Sequence, residues 1–102
     1  MKIKLKCKFY PPNQRMRLAS TLMSLEIPMD VSPKWAIKQV LSLKLFLVKN
    51  WNVKYGNVVK LDLESTYFVD IHGIVIHDAD RIGKVVNEGD ILQLFQGDKT
   101  KT

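Results

Sequence analysis

Residues 1–12 of the chain read MKIKLKCKFYPP, and from residue 2 to residue 9 basic and apolar side chains alternate strictly. Because successive side chains of an extended strand point to opposite faces, this period of two predicts a β-strand with one face in a core. The apolar side consists of Ile3, Leu5, Cys7 and Phe9. The side facing water consists of Lys2, Lys4, Lys6 and Lys8. Such a row of lysines suits a nucleic-acid surface, a docking surface for an acidic partner, or a device for solubility.

The composition is that of an ordinary globular protein. Its 102 residues are enough for one domain with a single core, without stabilising disulfides or metals. Apolar residues make up 46% and charged residues 25%, so extended disorder is not expected. Cys7 is the single cysteine, which favours a reducing, intracellular compartment and a buried, inert thiol. The longest apolar run, LFLV, is too short to span a membrane, and the lysine-rich start does not have the pattern of a signal peptide.

The charge is unevenly distributed along the chain. Residues 1–60 carry twelve basic and two acidic side chains, a net charge of +10. Residues 61–102 carry four basic and eight acidic side chains, a net charge of −4. A protein with this polarity can attract another copy of itself as well as a charged partner.

The first half of the chain predicts a β-hairpin followed by one helix. YPPNQRMRL reads as a loop because proline cannot donate to a strand ladder, and TLMSLEIP (21–28) reads as the returning strand. Ser32 can cap a helix that has Pro33 in its first turn and continues to about Asn50. The residues expected on its buried face are Ile37, Val40, Leu41, Leu45 and Val48, with Trp51 folding back onto the core and most of the lysines elsewhere.

The second half predicts further strands. VVKLDLES and TYFVDIHGIVIHD both alternate, with Gly73 as a turn, and they form either one long strand or two. A short helical turn is expected over residues 81–85. ILQLFQG reads as a last strand whose Leu92 and Leu94 face inward while Gln93 and Phe95 face outward. Residues 1–97 are therefore expected to form the domain, and residues 98–102 a flexible tail.

This order of elements resembles the ubiquitin-like β-grasp fold, an α+β fold with a mixed sheet and one main helix packed across it. The similarity is densest over TYFVDIHGIVIHDADRIGKVVNEGDILQLF, where a strand reaches a glycine and a polar turn precedes the last strand. The resemblance implies that the first and last strands lie side by side in the middle of the sheet. The apolar side of the first strand would then meet the helix, and the lysines would line the open face.

A narrower similarity is to the coilin type of N-terminal domain, found in a scaffold of nuclear bodies. There too, a first strand of alternating basic and apolar residues runs into an aromatic residue and two prolines, as FYPP does here. A short polar turn, here NEGD, again precedes the last strand. The resemblance implies self-association, and it implies a nuclear rather than a cytoplasmic location.

Two features of ubiquitin itself are missing from the sequence. The chain ends in GDKTKT and not in a pair of glycines, so conjugation to other proteins is not expected. Asp70, Gln93 and Phe95 stand where ubiquitin has the apolar residues that its receptors recognise, so binding of those receptors is not expected either.

No catalytic or cofactor motif is recognisable, so the chain is predicted not to be an enzyme. His72 and His77 have no third metal ligand nearby in the sequence, whereas a zinc site needs three or four. DADRIGKVVNEG is not a calcium loop, because Ile82 takes the place of an acidic ligand and Gly89 that of the bidentate glutamate. We therefore predict no metal, no cofactor and no small-molecule substrate.

The function predicted from these observations is protein–protein interaction, through self-association or scaffold assembly, without a membrane partner. The alternative is a basic module that binds RNA or DNA, with Phe95 as a stacking platform beside the lysines. The predicted basic interaction face consists of Lys2, Lys4, Lys6, Lys8 and Phe95. The predicted acidic interaction face consists of Asp70, Asp78, Asp80 and Glu88.

Overall fold

Five strands form one mixed sheet in the order β2-β1-β5-β3-β4 in the computed structural model, which describes residues 1–9 and 23–97. The strands are β1 (Lys2–Phe9), β2 (Met23–Asp30), β3 (Thr66–Val69), β4 (Val75–Ile76) and β5 (Ile91–Gln96). The helices are α1 (Pro33–Ala36), α2 (Val40–Tyr55) and α3 (Ile82–Val85), and a 3-10 turn covers Leu63–Ser65. The predicted loop at residues 10–18, the start of the predicted second strand and the predicted tail at 98–102 lie outside the described residues.

The first strand is a β-strand, as its alternation predicted, and it lies inside the sheet beside the last strand, as the resemblance to the β-grasp fold implied. It pairs antiparallel with β2 and parallel with β5. Ile3, Leu5 and Cys7 are buried on the side of the helix, while the lysines point to the other face. The side chain of Phe9 lies outside the described part. This α+β arrangement, with one main helix over a mixed sheet, is compatible with the ubiquitin-like β-grasp fold and confirms the predicted fold class.

The prediction of one continuous helix from Ser32 to Asn50 is wrong, because the helix is interrupted after Ala36. Ser32 caps the short first helix as expected, its Oγ accepting a hydrogen bond from the N–H of Trp35. Gln39 is extended and forms a β-bridge with Arg81, and the N–H of Ile82 donates to the carbonyl of Lys38 at 2.9 Å. These contacts hold the chain extended between the two helices.

The predicted buried face of the helix is also partly wrong. Val40 and Val48 are buried as expected, but Ile37 is 67% exposed and Leu45 49% exposed. The buried face of α2 is completed by Leu43, Lys44, Leu47 and Trp51. Trp51 reaches the core as predicted, and its Nε1 donates to the carbonyl of Val59 at 3.0 Å.

The segment VVKLDLES is not a strand, contrary to its alternating pattern. Its Leu61 is buried, and the side-chain amide of Asn52 in α2 holds the backbone of Leu61 at both ends. Asn52 Oδ1 accepts from the N–H of Leu61 at 2.8 Å, and its Nδ2 donates to the Leu61 carbonyl at 3.2 Å. A side chain of the helix therefore provides the hydrogen bonds that a neighbouring strand would otherwise supply.

The predictions of a turn at Gly73, a helical turn near residues 81–85 and a last strand are confirmed. β3 and β4 are two short strands, and the turn between them uses Gly73 at a positive φ of 80°. α3 lies within the predicted helical turn. In β5, Leu92 and Leu94 are buried while Gln93 and Phe95 face outward.

Candidate interaction surface on the open face of the sheet

The face of the sheet opposite the main helix carries a lysine row, which consists of Lys2, Lys4, Lys6 and Lys8. Lys6 is half-buried and the other three are exposed. All four side chains lie on this face because their apolar neighbours in β1 are fixed in the core. The four lysines of the predicted basic face therefore form one continuous row along β1.

Acidic residues of β2 lie beside part of this row. Lys4 Nζ is 3.3 Å from Glu26 Oε1, and the strand register places Glu26 directly across from Lys6. Asp30 lies opposite Lys2 in the same register. Exposed ion pairs of this kind contribute about 0–1 kcal/mol each, so they reduce the local charge more than they stabilise the sheet.

On the other side of the row, two aromatic rings form a platform. Phe95 of β5 is 44% exposed and stacks on Tyr67, which lies opposite it in β3. Their ring centroids are 6.0 Å apart and their planes differ by 28°. Sequence reasoning identified Phe95 but missed Tyr67, although Tyr67 alternates with the buried Phe68 and therefore had to face the open side.

Shallow grooves run alongside this aromatic platform. A groove of about 230 Å³ is lined by Lys6, Lys8, Gln93, Phe95 and the adjoining Leu94. A second groove, of about 420 Å³, begins at Lys6 and Phe95 and reaches Asp70 and Ile71. Both grooves are open to solvent along the sheet and combine charged groups with apolar ones. This form suits an extended macromolecular partner better than an enclosed small molecule.

Asp70 lies near the basic face and closes the turn between β3 and β4. Its Oδ1 accepts hydrogen bonds from the N–H of Ile74 at 3.0 Å and from the N–H of His72 at 2.8 Å. These hydrogen bonds favour the charged carboxylate and lower the pKa of the Asp70 carboxyl below its ordinary value. The bond from the N–H of Ile74 is the larger cause. Asp70 therefore has a structural task in the turn and still lies at a groove that Lys6 also lines.

The other predicted acidic residues lie in two different places. Asp78 and Asp80 adjoin the N-terminal end of α2, where their carbonyls accept from the N–H groups of Leu41 and Val40. Glu88 lies next to the chain start, where its Oε2 accepts from the N–H of Lys2 at 2.6 Å. The four residues therefore do not form one surface.

One end of the sheet collects a larger acidic group, which we call the acidic end. It lies where β1 and β5 begin and β2 and β3 finish, because Lys2 pairs with Asp30 and Val69 pairs with Gln93. The N-terminal ammonium is 3.3 Å from Asp30 and 3.9 Å from Glu88. The acidic end consists of Asp30, Asp70, Glu88 and Asp90. Sequence reasoning missed Asp30 and Asp90, since only the strand register brings them here.

Another groove, of about 670 Å³, lies near Lys44, Ser65, His77 and Asp78. Lys44 is held there by Asp78 and by the carbonyl of Thr66. The hydroxyl of Ser65 donates to Asp62, so it does not face His77 as an activated nucleophile would. The Cys7 thiol is buried, which raises its pKa to about 12.

Within residues 1–9 and 23–97, no group of three or more His, Cys, Asp or Glu side chains is placed to hold a metal ion. In the same part of the chain, no helix is long and apolar enough to cross a membrane. No protein-family model matches the chain, and no curated protein matches it. Inference about function therefore depends on the fold and on the chemistry of its surfaces.

Proposed function

We propose that the chain is a non-catalytic, ubiquitin-like protein–protein interaction domain that self-associates in a scaffold. The observation that supports this most directly is the pair of half-buried Tyr67 and exposed Phe95 on the open sheet face, bordered by the lysine row. Aromatic side chains are enriched in the centres of protein interfaces, and polar, solvent-accessible side chains such as these lysines suit the rim.

The proposed contact joins the groove around Lys6, Lys8 and Phe95 of one copy, which we call the basic groove, to the acidic end of another. Lys6, Lys8 and Phe95 lie together around one groove, toward the end of the sheet away from Asp30 and Glu88. Charge sets the register and speeds encounter, and the aromatic pair supplies most of the affinity, because exposed ion pairs contribute only about 0–1 kcal/mol each. Since the two surfaces differ, the contact extends into chains of copies unless a rotation closes a ring.

The finer part of the proposal is a coilin-type scaffold in the nucleus. It is supported by the resemblance of the first strand, which runs into FYPP, and of the polar NEGD turn before β5. The open sheet face and the separated charges are compatible with the self-association that this resemblance implies.

The experiment is sedimentation velocity of the chain over a range of concentrations at low and high salt. Self-association should be present at low salt and weaken at high salt, because salt screens exposed charges. The K6E/K8E variant should be monomeric, and so should D30K/E88K, whereas the matched control K54E/K60E should behave as the unchanged chain. A wild-type chain that stays monomeric at high micromolar concentration and low salt would refute the proposal.

A mixing experiment tests the head-to-tail geometry directly. K6Q/K8Q has a neutralised basic groove and keeps an intact acidic end, and D30N/E88Q has a neutralised acidic end and keeps an intact basic groove. Neutral side chains are used here because charge-reversed ones would create a second complementary contact between the two altered surfaces. Mixed together, these two variants should form a dimer through one wild-type contact, although neither associates alone. Failure of the mixture to form this dimer, in a chain whose wild type self-associates, would show that the contact is not head-to-tail.

The second candidate function is binding of single-stranded RNA, and the stacking of Tyr67 on Phe95 favours it. Bases stack on aromatic side chains while lysines neutralise phosphates, and affinity then falls steeply with salt. Fluorescence polarisation with a mixed-sequence RNA should show binding at low salt that F95S and K6E/K8E both weaken. Absence of binding at low salt would exclude this function and leave the first one standing.

A further inference from the structure

The outer side of α2 carries apolar side chains that face solvent. Leu45 is 49% exposed, Phe46 37% and Val53 82%. Together with Ser42 and Lys49 they recur at intervals of three and four residues, which places them on one face of the helix. The inner side of the same helix is buried on the sheet, so this stripe is a second apolar face on one helix.

Two aromatic rings extend this stripe toward α1. The ring of Trp35 meets Phe46 edge to face, with centroids 6.3 Å apart. The ammonium of Lys38 lies 4.7 Å from the centre of the Trp35 ring. Asn50 Nδ2 donates to the carbonyl of Phe46 at 2.7 Å. The outer helix face consists of Trp35, Lys38, Ser42, Leu45, Phe46, Lys49 and Val53.

The stretch of chain that forms this face carries side-chain charges of only one sign. Residues 31–61 contain six lysines and no aspartate or glutamate. Asp78 and Asp80 approach only the N-terminal end of α2, and the carboxylate of Asp78 is bound to Lys44 at 2.8 Å. A partner on the outer helix face would therefore gain from carrying acidic groups around an apolar centre.

We propose that the outer helix face binds an acidic amphipathic helix of a partner protein. The apolar side of such a helix would cover Leu45, Phe46 and Val53. One of its carboxylates would pair with Lys49 within the stripe, and another would pair with Lys38 at the end near Trp35. Helices commonly recognise apolar grooves and stripes through residues at this spacing.

The charge also argues against two other occupants. A second copy that docks through its own outer helix face would bring two surfaces without acidic groups against each other, which places like charges side by side. A lipid surface would have to accept Lys49 between Phe46 and Val53, in the middle of the apolar stripe, whereas a peptide carboxylate can pair with it. The face lies on the opposite side of the molecule from the Tyr67–Phe95 pair, so this proposal does not depend on the proposed function.

The test is an NMR titration of the ¹⁵N-labelled chain with a designed 18-residue helical peptide. The peptide carries leucines along one side and glutamates elsewhere, and a second peptide has glutamine in place of every glutamate. The acidic peptide should shift the amide signals of residues 35–38 and 42–53 at micromolar concentrations. The glutamine peptide should bind at least about tenfold more weakly if charge complementarity is required.

Variants locate the contact. V53E changes a side chain that is largely free of packing, and K49E reverses the central charge, so each should weaken binding about tenfold or more in a folded chain. V58S removes an exposed apolar residue outside the face and should leave binding unchanged. The proposal is overturned by shifts confined to the open sheet face, by no shifts at millimolar peptide, or by equal binding of the glutamine peptide. Binding of vesicles of phosphatidylcholine and phosphatidylserine that V53E and K49E weaken, without binding of the acidic peptide, would overturn it as well.

Discussion

The Nζ of Lys44 lies 2.8 Å from Oδ2 of Asp78, which joins the buried face of α2 to the segment that follows β4. The same ammonium donates to the carbonyl of Thr66 at 3.0 Å. The Lys44 side chain is 4% exposed, whereas the Asp78 side chain is 45% exposed. The pair therefore compensates a charge that could not remain in this core alone.

This unequal burial predicts unequal effects of breaking the pair. D78A leaves the Lys44 ammonium buried without its counter-ion and should lower the free energy of unfolding by about 2–3 kcal/mol. K44M fills the same space with an apolar side chain, and water can solvate the freed Asp78, so the loss should be about 1 kcal/mol or less. Urea denaturation of both variants measures the two values. Equal losses, or a larger one for K44M, would contradict this account.

Lys44 also shows why the helix could be predicted only in part. Leu41, Leu45 and Phe46 are apolar, like most of the buried residues of α2. The spacing of apolar residues alone therefore did not decide which side of the helix faces the sheet. A lysine on the buried face becomes possible through a partner 34 residues away in the chain. The break after Ala36 has a similar origin, because it depends on the bridge between Gln39 and Arg81. Such long-range contacts leave no local pattern in the sequence.

Strand alternation was informative where a neighbouring strand exists and misleading where none does. KIKLKCK and ILQLFQ lie in paired strands, and the inward and outward residues of these two segments are as predicted. VVKLDLES alternates equally well, but Asn52 binds the backbone of Leu61 in place of a strand. The local sequence showed two parts of the candidate surface, the lysine row and Phe95. Tyr67 could have been found from its alternation with Phe68. The position of Asp30 follows from the register of the sheet, and that of Asp78 and Asp80 from their hydrogen bonds to α2.

The carboxyl of Asp70 should make the β3–β4 turn sensitive to acid. Its pKa is lowered from an ordinary value of 3.8 by the N–H groups of Ile74 and His72. A lowered pKa means that the stabilisation is present above the ordinary value and is lost as the pH falls through the lower value in the folded protein. The amide signals of His72 and Ile74 should therefore titrate together with a midpoint below 3.8.

D70N is the control for this titration, because its side-chain oxygen can accept the same bonds and does not ionise. The two amide signals should then stay constant across the same pH range. A wild-type midpoint at or above the ordinary value would show that the two bonds do not favour the carboxylate.

The Cys7 thiol should be almost unreactive in the folded protein. The thiolate is the reactive form, and with a pKa of about 12 very little of it exists at pH 8. Modification by a disulfide reagent should be at least about a thousandfold slower than in 6 M urea, where the pKa is near 8.5. The absorbance of the released thiolate follows both rates. Rapid modification under native conditions would mean that β1 opens readily or that the thiol is not buried.

Pro28 should protect the free edge of the sheet. The N–H of Val31 donates to the carbonyl of Met1, so residues 1 and 31 form a hydrogen-bonded pair and the backbone groups of residue 28 point outward from β2. Proline removes a donor from that edge, which discourages pairing with another strand. P28V should therefore increase self-association at 0.5 M salt, where the charge-dependent contact is weak, and sedimentation velocity measures it. P28A restores the same N–H as P28V but adds no β-branched side chain. The two variants together therefore separate the effect of the restored donor from that of the β-branched side chain.

The contact between α3 and α1 should depend on Gly83 having no side chain. A Cβ at this position would lie 3.1 Å from the Cβ and 3.1 Å from the carbonyl oxygen of Ala36, both tighter than ordinary contact. G83A should therefore lower the free energy of unfolding by about 1 kcal/mol or more, as overpacking does elsewhere. G83A should lower the free energy of unfolding less in the A36G background than in the wild-type chain. The reason is that A36G removes one of the two close atoms, the Cβ of Ala36, and leaves the carbonyl oxygen. Thermal denaturation of the four proteins gives the coupling between the two residues. Additive effects, with no coupling, would mean that α3 moves away from α1 and that the close approach is not required.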